Sequence, residues 1–328
     1  MGSLTNFPFG VSSFGVPVLG GAFNIPFTGN YWFVKPITGL DGNSGNSPSS
    51  ALKTVSHALS LATANNNDVI FLLSESNTAS ATTDYQSATL TWNKDLTHLI
   101  GICAPSQFSQ RARIAQLSSA TGVSPLMNIT ANGCFFSNFS IFQGVADVTS
   151  LVNVQVTGSR NVFQNVTFAG IGNATMVSAG AASLKLAGAS ENIFQHCLIG
   201  QDTISVDQNC TGLWCTSAAT RNTFENCVFD AYISNSGFAT VTIGTNGIDR
   251  TLSFANCQFW AKSTNKATTQ TSVFSIPAIS QGAIVLNYSS FFTDGGTGGV
   301  WDSNARGIIW NNTAAAAASG AGGEMTNL

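Results

Sequence analysis

The sequence predicts an all-β chain: a right-handed parallel β-helix with a short N-terminal capping helix and an extended N-terminal arm. Three observations carry this. Two apolar residues five positions apart recur about every 30 residues, only 27 of 328 side chains are charged, and one short amphipathic helical pattern precedes the first clear strand.

The repeat is explicit. Phe136-Ser-Asn138-Phe-Ser-Ile141 aligns with Phe163-Gln-Asn165-Val-Thr-Phe168, Phe194-Gln-His196-Cys-Leu-Ile199, Phe224-Glu-Asn226-Cys-Val-Phe229 and Phe254-Ala-Asn256-Cys-Gln-Phe259. A weaker copy is Leu286-Asn-Tyr288-Ser-Ser-Phe291, and a possible earlier one is Leu96-Thr-His98-Leu-Ile. From Phe136 onward the copies start 27, 31, 30, 30 and 32 residues apart. Side chains alternate faces along a strand, so residues five apart cannot both point inward on one flat strand. A corner between them resolves this, and Asn tolerates a corner. Asn138, Asn165, His196, Asn226 and Asn256 are therefore predicted to form a structural ladder, stacked about 4.8 Å apart and hydrogen-bonded along the stack. Cys197, Cys227 and Cys257 stack beside it. In three copies an Asn also stands two residues before the first Phe, at Asn161, Asn192 and Asn222. A period near 30 with strands and no second helical pattern indicates a β-helix, and the spaced Leu consensus of leucine-rich repeats is missing.

Composition agrees. Ordinary domains carry about 25% charged residues, against 8% here, while Asn occurs 30 times. The surface must then be built from Asn, Ser, Thr, Gln and Gly, which suits flat polar sheets better than surface helices. A net charge of −3 with 12 scattered Lys and Arg provides no basic stripe for nucleic acid. No apolar run is long enough to span a membrane. The first residues lack the basic region and uninterrupted apolar stretch of a secretory signal. Seven Cys is an odd number, and none has zinc spacing. A reducing compartment during folding is expected, with no metal and no cofactor.

Three segments follow from this. Residues 1–38 form the arm. Its first 34 residues contain no charge but hold Phe7, Phe9, Phe14, Phe23, Phe27, Tyr31, Trp32 and Phe33 between Gly and Pro. These eight aromatics are the expected partner-binding residues, because buried aromatic anchors dominate interfaces. Residues 39–312 form the β-helix, with the capping helix near 50–64. Ser49 or Ser50 can cap that helix, and Leu52, Val55, Leu59 and Ala62 share one face. Residues 313–328 form a low-complexity tail.

Candidate chemistry is sparse. Paired carboxylates of an inverting glycosidase stand about 6.5–9.5 Å apart. Asp202, Asp207 and Asp230 lie near one edge, but Asp202 is three residues after Ile199 and Asp230 one after Phe229. On this offset they are expected to be solvated loop acids. A lyase would need a cluster of acids for calcium and a basic residue. Arg221 and Arg250 have no acids in a row beside them. Of the three His, His57 falls in the helix, and His98 and His196 are expected at the corner. The Cys column is expected to be buried and inert, with Cys210 and Cys215 near Trp214 less certain. The sequons at Asn138 and Asn165 lie in the proposed ladder, where a glycan has no room. Gly295–Gly299 lacks the Lys of a phosphate loop. No catalytic residue is assigned, and the chain is expected not to be an enzyme.

With the arm, the Asp41-Gly-Asn-Ser-Gly turn, the helix and the Phe-x-Asn-x-x-Phe coils in place, the sequence resembles the β-helical virion proteins of tailed bacteriophages. Gly39 to Leu73 is similar to the entry of phage pectate-lyase-like β-helices. The resemblance implies a non-enzymatic capsid decoration or cement protein. It would be a homotrimer on the virion surface, made in the bacterial cytoplasm and bound to the major capsid protein or other virion subunits through its arm. The alternative it implies is a tailspike that binds or degrades host polysaccharide.

Overall fold

The computed structural model describes residues 29–78, 82–265, 268–276 and 282–294, and the backbone of short strands at 12–13, 16–17, 308–311, 314–316 and 322–324. The chain winds as a right-handed parallel β-solenoid. From Asp68 to Ser275 each coil gives one strand to each of three sheets. For one central coil these strands are Val162–Gln164, Thr167–Ala169 and Ala182–Ala187. Consecutive coils pair in parallel. In the first sheet Phe136, Phe163, Phe194, Phe224, Phe254 and Leu286 stand opposite one another in turn. In the second, Ile141, Phe168, Ile199, Phe229, Phe259 and Phe291 do the same. Among the described residues the third sheet has seven strands.

The corner is where the five-residue spacing requires it. Asn138, Asn165, His196, Asn226, Asn256 and Tyr288 all adopt left-handed backbone conformations, with φ between 50° and 59°. The turn redirects the chain from the first sheet into the second, so both apolar positions point inward. Asn enters this region at little cost, other L-residues at about 1–2 kcal/mol. His196 and Tyr288 carry that strain within an otherwise regular stack.

The inward residues form continuous aromatic columns. Phe136, Phe163, Phe194, Phe224 and Phe254 stack with centroids 4.9, 4.6, 4.5 and 5.2 Å apart. Phe229, Phe259 and Phe291 form a second column at 4.7 and 4.9 Å. All belong to one core running along the axis. Each offset pair adds about 0.5–1.5 kcal/mol beyond its buried area. Cys197, Cys227 and Cys257 stack beside the Phe columns and donate to the carbonyls of Phe163, Phe194 and Phe224. Burial raises the pKa of Cys227 and Cys257 well above the usual thiol range.

Two expectations about polar stacks are corrected. In the corner column, the amide-to-amide bond joins Asn165 Nδ2 to Asn138 Oδ1 at 2.9 Å. From His196 onward, His196, Asn226 and Asn256 face solvent. The inner ladder is formed instead by Asn161, Asn192 and Asn222, each at most 1% exposed. Asn161 Oδ1 accepts from Cys134 N, Asn192 Oδ1 from Asn161 N and Asn222 Oδ1 from Asn192 N, at 2.8–3.1 Å. Their amide nitrogens donate to the carbonyls of Ala131, Gly158 and Ala189. Buried amides of both signs are thus satisfied where the third sheet turns back into the first. His98 is not a corner residue. Leu99, rather than Leu96, stands opposite Phe136, which puts Gly101 opposite Asn138. A side chain at Gly101 would collide with the Asn138 carbonyl. His98 instead points off the first sheet, where its Nδ1 accepts from Phe135 N at 3.0 Å.

The helix is shorter than expected, Val55–Leu61, and its cap is Thr54, which accepts from His57 N. Ser49 and Ser50 belong to a separate 3-10 turn, Pro48–Ser50. The predicted apolar face holds: Leu52, Val55, Leu59 and Ala62 are all buried. Asp84, itself buried, accepts from Val55 N at 2.9 Å and anchors the helix start to the second sheet. Tyr31, Trp32 and Phe33 lie in the first coil, on strand Tyr31–Val34, which pairs with Asp68–Leu73. Tyr31 and Phe33 contact Phe71, and Trp32 Nε1 donates to Asp68. Phe7, Phe9, Phe14, Phe23 and Phe27 lie outside the described residues, as do the side chains of the 313–328 tail.

Candidate active site

The outward side chains of the second sheet follow directly from its inward column. If Ile141, Phe168, Ile199, Phe229, Phe259 and Phe291 point in, residues one before, one after and three after them point out. One position after, successive coils present Phe142, Ala169, Gly200, Asp230, Trp260 and Phe292. Three positions after, Tyr232 and Lys262 pair, and Asp202 stands where the register shifts after Gln201, held on the same face by Lys262. Acids, a cation and aromatics therefore meet on one face.

Lys262 holds the group together. Its Nζ lies 2.8 Å from Asp202 Oδ2, across the intervening coil, and 3.6 Å from Asp230 Oδ1. The two carboxylate oxygens are thus no farther apart than those two distances combined. That is below the spacing of about 6.5–9.5 Å that leaves room for an attacking water, and compatible with the spacing of about 5–5.5 Å of a pair whose second member is the nucleophile. The carboxylates differ in environment. The Asp230 side chain is 1% exposed and that of Asp202 is 48% exposed. Burial raises the Asp230 pKa, Lys262 works against that rise, and the Asp202 charge adds to it. Asp230 Oδ1 makes no hydrogen bond, since the Lys262 contact is an ion pair at longer range. For Lys262, burial opposes the charged form, but the hydrogen bond to Asp202 and the charges of Asp230 and Asp202 outweigh it and raise its pKa. Lys262 is a fixed cation here, not a base.

An aromatic platform adjoins the pair. Trp260 follows Phe259 on the strand carrying Lys262, and Phe108 stacks on it at 6.3 Å with 22° between the rings. Phe108 comes from the loop between the first- and second-sheet strands several coils earlier. That loop lies up along the sheet: Gln110 Nε2 donates to Asn165 O, and Thr167 Oγ1 donates to Gln107 O and Gln110 Oε1. Between loop and sheet is an open cavity of about 250 Å³, lined by Phe108, Arg113, Phe142, Asp202 and Asp230 among others.

The expectation of solvated loop acids is therefore corrected for Asp202 and Asp230. Their offsets of three and one are both odd, so both face outward, and Lys262 closes the remaining gap. Asp207 does lie apart, at a turn, accepting from Gln208 N. Arg221 and Arg250 lie elsewhere, in ion pairs with Glu191 and Asp249. Cys210 and Cys215 are buried, with Cys210 pushed up to about 12 by burial. Among the described residues no group of three or more His, Cys, Asp or Glu could hold a metal. At the Asp202 and Asp230 pair an ammonium already lies between the carboxylates, so these residues do not fit a calcium cluster.

No family model and no curated protein matches the sequence. Solved structures do match, and they define the class as the pectate-lyase-like parallel β-helix. Pectate lyase Pel9A aligns with a TM-score of 0.61 and 15% identity, over 88% of this chain and 69% of that one. A rhamnogalacturonan lyase aligns at 0.57 and 15%, over 88% and 74%. The pectin methylesterase PemA from Erwinia chrysanthemi aligns at 0.50 and 13%, over 85% and 92%. At these identities the likeness is one of fold. The expectation that the chain is not an enzyme is corrected: the structures it matches in fold are by name two lyases and a methylesterase, and the acids expected to lie apart meet on the second sheet.

Proposed function

We propose that the chain binds a polysaccharide along the outward face of the second sheet and cleaves it at the Asp202 and Asp230 pair. The observation that carries this is the convergence of two unlike carboxylates beside a Phe108 and Trp260 platform in an open cavity. Perturbed, clustered titratable groups in a cleft are the usual mark of such a site. Asp230, whose pKa burial raises, is the acid that gives a proton to the glycosidic oxygen. Asp202, exposed and paired with Lys262, is the carboxylate that attacks the anomeric carbon as the leaving oxygen takes the Asp230 proton; water, giving its proton back to Asp230, then releases the sugar from Asp202. The aromatic faces offer the apolar sides of sugar rings a surface to stack on.

The resemblance of Gly39 to Leu73 to phage β-helix entries supports placing this activity on a tailspike of a virion. The cement role gains nothing from the described residues: three of its eight aromatics, Tyr31, Trp32 and Phe33, serve the chain's own first coil. Incubation with bacterial capsular polysaccharides and lipopolysaccharide, scored by release of reducing ends, tests the reading. Wild type should release oligosaccharide, and D230N and D202N should each lose on the order of 100-fold or more. Undiminished release by both variants overturns the assignment of the acids. Failure of every glycan to bind overturns the polysaccharide reading.

A further inference from the structure

The groove holds one side chain that this reading does not use. Arg113 opens the strand Arg113–Gln116 and points outward, in the column that continues through Ser140, Thr167 and Leu198. Its guanidinium carbon lies 4.0 Å from the centroid of Phe142. It makes no ion pair among the described residues, and its Nε is buried without a hydrogen-bond partner. A largely desolvated cation with open donors is costly unless something accepts from them. Burial pushes its pKa down, as that imbalance implies. The groove's own carboxylates are out of reach. Asp202 lies three coils away and Asp230 four, or about 14 and 19 Å at about 4.8 Å per coil.

We propose that Arg113 is an anion subsite that takes the carboxylate of a uronic acid, several sugars along the chain from the ring at Asp202 and Asp230. This rests on the polysaccharide reading of the same face. A planar guanidinium matches a carboxylate through two parallel hydrogen bonds. The Phe142 ring packs against it. Among the described residues the charges along the groove are unequal: Arg113 is an uncompensated cation at one end, and at the other Lys262 is already matched by Asp202. A homopolymer of uronic acid would place a carboxylate beside Asp202 with no cation left to receive it. The groove therefore selects a mixed polymer, with a neutral sugar at the acid pair and a uronate offset toward Arg113.

The test uses the full chain and three octasaccharide probes: a heteropolymer fragment with one hexuronate, its carboxyl-reduced counterpart, and an all-uronate fragment. Binding is read by calorimetry. Wild type should bind the mixed octasaccharide at least 10-fold more tightly than the reduced one, and the all-uronate fragment more weakly than the mixed one. R113Q should bind the mixed and reduced probes alike, at the affinity wild type shows for the reduced probe. R113K keeps a cation over Phe142 and should retain part of the preference, which separates charge recognition from loss of folding. A preference that survives in R113Q, or tightest binding of the all-uronate fragment, overturns the subsite. If no probe binds, or if W260A leaves the binding of the reduced probe unchanged, the polysaccharide reading itself fails.

Discussion

Asp202 and Lys262 are two coils apart on the second sheet, yet their charged atoms lie 2.8 Å from each other and Asp230 sits beneath them. Lys262 holds Asp230 toward its ionised form, against burial and against the Asp202 charge, which raise its pKa. Replacing Lys262 by Met should therefore raise the Asp230 pKa further. Cleavage that needs a protonated Asp230 would then persist to higher pH, and the alkaline limb of the pH–rate profile should move up. An unchanged or downward-shifted limb would contradict this pairing.

Trp260 should act in binding and not in bond cleavage. W260A is expected to weaken oligosaccharide binding by about 1–3 kcal/mol, the range for a buried aromatic contact, with kcat nearly preserved. A kcat loss without a KM change would place Trp260 in the chemistry instead.

Two buried groups at the N-terminal end give opposing pH dependences. Burial pushes Asp84 up to about 6, although Val55 N–H and Gln86 pull the other way and Asp41 adds to the rise. A carboxyl raised in the folded state contributes stability that is full below about pH 4 and lost as pH rises through about 6. That loss is worth about 3 kcal/mol. Burial likewise lowers His98 to about 4, only partly offset by Asp68. A lowered imidazole contributes stability that is present above about pH 6.5 and lost as pH falls through about 4. D84N removes the first slope and leaves the second. Urea midpoints for D84N should thus rise with pH between about 4 and 6.5, more steeply than for wild type. Parallel profiles would show that Asp84 does not titrate in this window.

The two Asn columns should respond differently. Asn192 is buried and bonded on both sides, so N192A strands Asn161 N and the Gly158 carbonyl and should cost about 3 kcal/mol or more. Asn226 is exposed and serves its backbone angle. N226A should cost about 1–2 kcal/mol, while N226G should stay within a few tenths. Chemical denaturation of the three variants checks this, and equal losses for N226A and N226G would contradict the backbone explanation.

Most of this architecture can be read from the six-residue motif. The odd separation of Phe163 and Phe168 forces a corner, and Asn165 between them turns with φ of 53°. The same parity also encodes the candidate site. Asp230 and Trp260 stand one residue after their inward Phe, and Asp202 and Lys262 three after theirs. Equal offsets are not needed for side chains to meet on one face; equal parity is. Comparing offsets alone hides the pair, and with it the case for an enzyme. Other features leave no such trace. Phe108 lies in a loop without periodicity, and its place over Trp260 depends on hydrogen bonds to coils far along the sequence. The coil of Leu99 carries Gly101 where the motif has Asn, so the pattern there invites a register three residues too early. Asn161, Asn192 and Asn222 were visible as a repeat, but their burial depends on how the third sheet returns to the first.

The most direct measurement is the structure of D230N, which should bind but not cleave, with an oligosaccharide bound. Sugar rings should lie along the outward face of the second sheet, one against the Phe108 and Trp260 platform and one beside Asp202 and Lys262. Sugar lying against Trp214 on the third sheet, with the second-sheet face empty, would contradict it.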